Sequence, residues 1–356
     1  MTAAATAASE DRDAPWLLRL PLAAVACASV FSLLAWVYEL GAFHLWAAFV
    51  GAPLIAALVA FAAWLPRSSV RGSPRWPGTR GAPRWPGTRA AIVAGALGGL
   101  IGTLGYDFFR VPFIFLGGFR LLAPIESYGV LLLDAETSSG LTDFAGWSYH
   151  FANGIGFGVA YALVAARRSW RWAVLWGLLL ESAVVFSPFA NTYALVTDDQ
   201  IKWTPITIAY LAHIPYGIAL GLLAQRPEAT LAEARRAVGP LRAPVAVAVV
   251  ATLLVLAIWH RPLLPDDAVD RGHAVAAGPS AIILDGEFRP SWLRVPAEAC
   301  ATIQNGDPQG VSLTDGAVLE PAAHLEICGG TEIEVRRIRV DEGEFSGGWL
   351  IVDPGR

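Results

Sequence analysis

His150, Glu181 and His213 are the side chains in this sequence with the most chemical potential, because each is ionisable and each sits inside a long run of apolar residues. Asn153 and Asp107 stand in or at the end of the same runs, so the candidate ligand-binding or ion-binding set is Asp107, His150, Asn153, Glu181 and His213. Ionisable groups within membrane spans are costly, which makes them functional candidates by default. Three chemistries compete for them. His150, Glu181 and His213 are a metal-ligand set of the type found around zinc and non-haem iron. The two histidines alone could hold a haem, provided they sit at similar depth on facing helices. Glu181 and His213 could instead pass or sense protons, imidazole being the side chain that titrates nearest neutral pH. Against all three stands a plain buried Glu–His hydrogen bond that fixes helix packing.

The two histidines occur in matching contexts. WSYHFANGIGFG at 147–158 parallels YLAHIPYGIALG at 210–221, both reading aromatic-x-x-His-x-x-x-Gly-Ile-x-x-Gly. Positions four apart share one helical face, so each segment presents a stripe of His, Gly and Gly that lets a neighbouring backbone approach closely. The run at 90–108, with Gly95, Gly98, Gly99, Gly102 and Gly105, is the natural partner for such stripes. Two related segments framing a central site are a pattern found in transporters.

The elements that must position these residues are membrane helices. The chain is 55% hydrophobic and only 16% charged, with a mean hydropathy of +0.49, which is too apolar for an ordinary soluble protein. A bilayer core of about 30 Å takes roughly 20 apolar residues in helical form. Seven stretches meet that length: 17–38, 42–65, 90–108, 145–166, 172–190, 204–224 and 243–259. The expected fold class is therefore a membrane all-α bundle of about seven transmembrane helices over 17–260, followed by a small exported all-β sandwich domain over 280–356.

Arginine placement gives the orientation, since short basic loops stay in the cytoplasm. The linker 66–89, rich in Arg, Pro and Gly, holds six arginines and no acid, and it carries PRWPGTR twice. With it inside, Arg167, Arg168, Arg171, Arg226, Arg235, Arg236 and Arg242 fall inside, and Glu126, Asp134, Glu136, Asp143, Asp198 and Asp199 fall outside. A cytoplasmic tail, 1–16, and an extracytoplasmic C-terminal domain follow, as expected for a bacterial plasma-membrane protein. The stretch 109–143 is apolar but interrupted by Pro112, Gly117, Gly118, Arg120, Pro124 and Glu126. It is read as a re-entrant or interfacial segment on the outer face, long enough to cap a site.

After a linker at 261–279, the sequence changes to short alternating segments with turn residues, the signature of a small β-sandwich. Ile333 and Val335 alternate with charged residues, and the pair Arg336 and Arg337 then shifts the phase to Ile338 and Val340, suggesting a bulge. ILDGEFRP at 283–290, LRVPA at 293–297, the turn Asn305 to Pro308 and GGWLIV at 347–352 together resemble the cupredoxin family. The resemblance implies the plastocyanin-type sandwich without its copper centre. QGVS follows the turn where a ligand histidine belongs, and RVDEGEFS at 339–346 offers no Cys, His or Met. Cys300 and Cys328 are expected to form a disulfide, as an exported domain allows.

Residues 266–356 hold sixteen Asp and Glu against seven Arg, an acidic face that disfavours nucleic acid and suits an envelope protein partner. No metalloprotease His pair, nucleophile elbow, phosphate loop or Cys-x-x-Cys occurs, so an enzyme is the less favoured class. The first functional expectation is a non-catalytic binding or assembly component of the envelope. The alternative is a transporter or ion- or proton-handling protein, and the third is a haem- or metal-containing redox subunit.

Overall fold

The computed structural model describes residues 16–65, 87–117, 121–193, 195, 201–238, 278–313, 316–340 and 347–354. Helices fill the first part: α1 (Trp16–Ala26), α2 (Val30–Val37), α3 (Phe43–Trp46), a π-helical turn (Ala47–Gly51) and α4 (Ala52–Trp64). They continue with α5 (Thr88–Gly117), α6 (Ala123–Leu132), α7 (Gly140–Ala165), α8 (Trp170–Val185), α9 (Pro188–Thr192), α10 (Trp203–Ala224) and α11 (Pro227–Val238).

Among the described residues, three helices are long and apolar enough to cross a membrane, namely Phe43–Trp64, Thr88–Gly117 and Trp203–Ala224. A fourth span results if Arg19–Ala26 and Val30–Val37, bent by 72°, count as one. Helices also occupy the expected fourth and fifth stretches, as α7 and α8, without meeting that measure of length and apolarity. The seventh stretch, 243–259, lies outside the described residues, as do 1–15, 66–86 and most of the linker 261–279. This is a protein with several helices fit for a bilayer and a C-terminal β-region.

Two helix expectations need correction. The first span is not one helix but a broken pair, and the break is chemically satisfied. The Ser29 carbonyl accepts from Tyr149 Oη at 2.8 Å and from Ser32 Oγ at 3.0 Å, so a chain bend inside apolar surroundings leaves that carbonyl paired. The third span does not end at residue 108. α5 runs through Pro112 for 30 residues, and its Arg110 Nη1 donates to the Leu121 carbonyl at 2.7 Å. α6 then packs on α7 at a crossing so close that a Cβ on Gly146 would strike the Ile125 carbonyl.

The strands are β1 (Ser280–Leu284), β2 (Glu287–Val295), β3 (Cys300–Asn305), β4 (Val311–Ser312), β5 (Val318–Leu319), β6 (His324–Cys328), β7 (Glu334–Ile338) and β8 (Gly347–Val352). Six form one mixed sheet in the order β6-β3-β1-β2-β8-β7, while β4 and β5 make a ribbon tied to the end of β7 by the bridge between Leu313 and Val340. β1–β3 and β2–β8 are parallel pairs and the others antiparallel. Ile283, Leu293, Val295, Ile303, Leu350 and Val352 fill the core between sheet and ribbon. Cys300 and Cys328 face each other across β3 and β6 and are joined.

The expected bulge at Arg336 and Arg337 is absent, and β7 pairs with β8 in unbroken register. The irregularity lies in β2, between Glu287 and Trp292. The shifted phase in β7 has another cause: the sheet is buried on both faces here. Val335, Ile351 and Trp292 point away from the sheet core into a second cluster shared with Trp36, Phe43, Tyr128 and Leu131 of the helical part.

Backbone bonds reinforce this seam. Thr137 bridges to Leu293, Ser138 N donates to the Trp292 carbonyl at 3.1 Å, and Arg294 N donates to the Glu136 carbonyl at 2.8 Å. Trp292 Nε1 donates to Glu126 Oε2 at 2.6 Å, and Arg294 Nη1 reaches Asp134 at 2.7 Å while its other side binds the fully buried Asp353. Lys202, just ahead of α10, is held below the ordinary lysine range by partial burial and by Arg339 and Arg337 of the sheet.

Candidate functional site

α5, α7, α8 and α10 are brought together by glycine. A Cβ on Gly99 of α5 would lie 2.8 Å from Ile155 Cα, and one on Gly217 of α10 would lie 2.6 Å from the backbone of Val174 in α8. The two matched segments thus use their stripes on different partners, α7 against α5 and α10 against α8. Their histidines still reach one space. His150, Asn153, Glu181 and His213 all line a cavity of about 270 Å³, together with Tyr106, Arg110 and Tyr216.

The ionisable groups in and behind it form two sets, one around Asp107 and one around His213. In the first, His150 Nε2 lies 3.1 Å from both carboxylate oxygens of Asp107, and Arg110 Nη2 donates to Asp107 Oδ1 at 2.5 Å. The Arg110 guanidinium also stacks on the Tyr106 ring, 4.2 Å from its centroid. Pairing from two sides offsets part of the cost of taking that carboxylate out of water. In the second, His213 Nδ1 donates to the Ala209 carbonyl at 2.9 Å, and the nearest oxygen of Glu181 lies 3.6 Å from the same nitrogen. That gap is too long for a hydrogen bond. Asn153 is buried, and its Oδ1 has no donor among the described residues.

The Tyr106 ring packs against both histidines, with its centroid 4.7 Å from that of His213 and 6.1 Å from that of His150. The metal set His150, Glu181 and His213 shares the cavity but is not gathered. Among the described residues no group of three or more His, Cys, Asp or Glu is placed to hold a metal ion.

Arg110 and Tyr106 are the site residues that sequence reasoning missed. The signal was present, since Asp107 and Arg110 are spaced i, i+3 and so neighbour each other on a helix. Ending the helix at 108 hid it.

The wall of the cavity nearest the sheet is made by α6 and its approach, through Leu121, Pro124, Ile125 and Tyr128, with Phe189, Leu195 and Ile206 beside them. The segment read as an outer excursion therefore does close one side of the site. Its far face carries Glu126, the acceptor for Trp292, so the C-terminal sheet is bound to the back of that wall.

No protein-family model, curated protein or solved structure matches this chain.

Proposed function

We propose that this chain is a multi-pass protein of a cell membrane that handles protons at an intramembrane site, with its C-terminal sheet as an extracytoplasmic cover. One observation carries the reading: Arg110, His150, Asn153, Glu181 and His213, drawn from four helices, converge on one cavity, with Asp107 paired to His150 behind it. A purely structural Glu–His contact needs no cavity of about 270 Å³ beside it. Burying so many ionisable groups among apolar helices is costly, and proteins bear that cost where the groups act. The arginine bias of the loops supports a cytoplasmic N-terminus and an outer C-terminal sheet. In this reading that sheet is a cupredoxin-like fold without copper ligands. An envelope assembly component docking through the acidic sheet draws less support, since the second face of β2, β8 and β7 already packs on the chain's own helices.

Proteoliposomes holding a pH-sensitive dye test the proposal. An imposed inside-negative potential should acidify the lumen faster with the wild-type protein than with empty vesicles, and Glu181→Gln should return the rate to the empty-vesicle value. Equal rates for wild-type and empty vesicles would end it.

A further inference from the structure

We infer that the cavity binds a small lipophilic amine, with the carboxyl of Glu181 as its partner. The inference rests on reading the cavity as a functional site and adds the class of molecule it takes. The groups that already have partners leave a distinctive remainder. Asp107 is engaged by Arg110 at 2.5 Å and by His150 at 3.1 Å, so this acid and this arginine answer each other. His213 has given its Nδ1 proton to the Ala209 carbonyl at 2.9 Å. Glu181, only 5% exposed, has no polar partner among the described residues nearer than that committed nitrogen at 3.6 Å. Asn153 Oδ1 is a second acceptor with no donor, and the unmatched donor Arg110 Nε belongs to a guanidinium whose charge Asp107 already meets. Two buried acceptors, one of them a carboxyl, call for a ligand that brings N–H groups.

The remaining wall defines the rest of the molecule. Tyr106, Tyr128, Phe157, Phe189 and Tyr216 line the cavity. Aromatic rings can attract a cation at their faces and accept an apolar group against their bodies, and of these five Tyr106 already holds the Arg110 guanidinium. An anion would have to compete with Asp107 for Arg110. A sugar would bury more hydroxyls than this wall can pair. The volume, about 270 Å³, falls at the lower edge of small-molecule sites, which suits a single-ring amine.

Binding can move one proton. The lone pair of the neutral amine takes the proton of the Glu181 carboxylic acid; an O–H bond breaks, an N–H bond forms, and an ammonium–carboxylate pair results. Departure of the neutral amine reverses both changes.

Calorimetric titration of the full chain in detergent micelles, with benzylamine and its neutral counterpart benzyl alcohol as probes, tests this. Benzylamine should bind saturably and about tenfold or more tighter than benzyl alcohol, as an added charge-assisted hydrogen bond warrants. Glu181→Gln should erase that preference while benzyl alcohol binding persists, which also certifies that the cavity is intact. Should the Gln variant fail to fold, Glu181→Asp retains the acid and should retain a reduced preference. Equal affinities for the two probes, no saturable benzylamine binding, or unaltered amine preference in Glu181→Gln would each overturn the inference. Amine binding without proton flux would leave it standing and end the proton-handling proposal, and flux without amine binding would do the reverse.

Discussion

Arg110 shows how one side chain can decide whether its neighbours can exist. It is 5% exposed, yet it binds Asp107, caps the Leu121 carbonyl and lies over Tyr106. Arg110→Gln would leave Asp107 with His150 alone, and breaking a buried pair from one side costs roughly 3–5 kcal/mol. The variant should therefore lose a large part of its thermal stability in detergent. Adding Asp107→Asn should recover much of it, because the stranded charge is gone; a double variant no more stable than the single would show that the pairing is not what matters. His150, Glu181 and His213 were legible in the sequence because an ionisable residue in an apolar run needs a reason to be there. Their convergence was foreshadowed only by the matched glycine spacing. Arg110 was passed over for a local reason: Pro112 mimics a helix end, and α5 runs through it as far as Gly117.

At the scale of elements, strand and helix boundaries were read best where one periodicity applied. β3 alternates in burial along its whole length, whereas β2, β8 and β7 must satisfy a sheet core on one side and helices on the other, which blurs the pattern. The break between α1 and α2 was hidden for the opposite reason. Its apolar run is uniform, and the group that receives the bend, Tyr149, lies over a hundred residues away. Trp292 is the element-scale lever, being fully buried, stacked on Trp349 and bonded to Glu126. Trp292→Ala should cost roughly 3–5 kcal/mol, by the usual measure for deleting a buried aromatic. Hydrogen exchange should then rise in α6 as well as in the sheet, while α11, remote from the seam, keeps its wild-type rate. Exchange in α6 that stays at the wild-type level would show that the wall stands without the sheet.

For the molecule as a whole, the seam ties Glu126, Asp134 and Ser138 to β2, so the proposed topology has to place these residues and the sheet on one side of the membrane. Single cysteines introduced at Gly278 and Gly78 in a Cys27→Ser background should be labelled by a membrane-impermeant thiol reagent in intact cells at 278 only. Labelling of both positions, or of 78 alone, would reverse the orientation argued from the arginines. The seam also has a history. Its side-chain partners stand 154 to 166 residues apart in the chain, so α6 and the loop after it are made long before β2 exists. Until β2 arrives, Glu126 and Ser138 lack Trp292, Asp134 lacks Arg294, and the wall of the cavity has no backing. The order of synthesis thus gives the protein a built-in delay, in which α6 and the loop after it are threaded first and the backing of the chamber follows with β2.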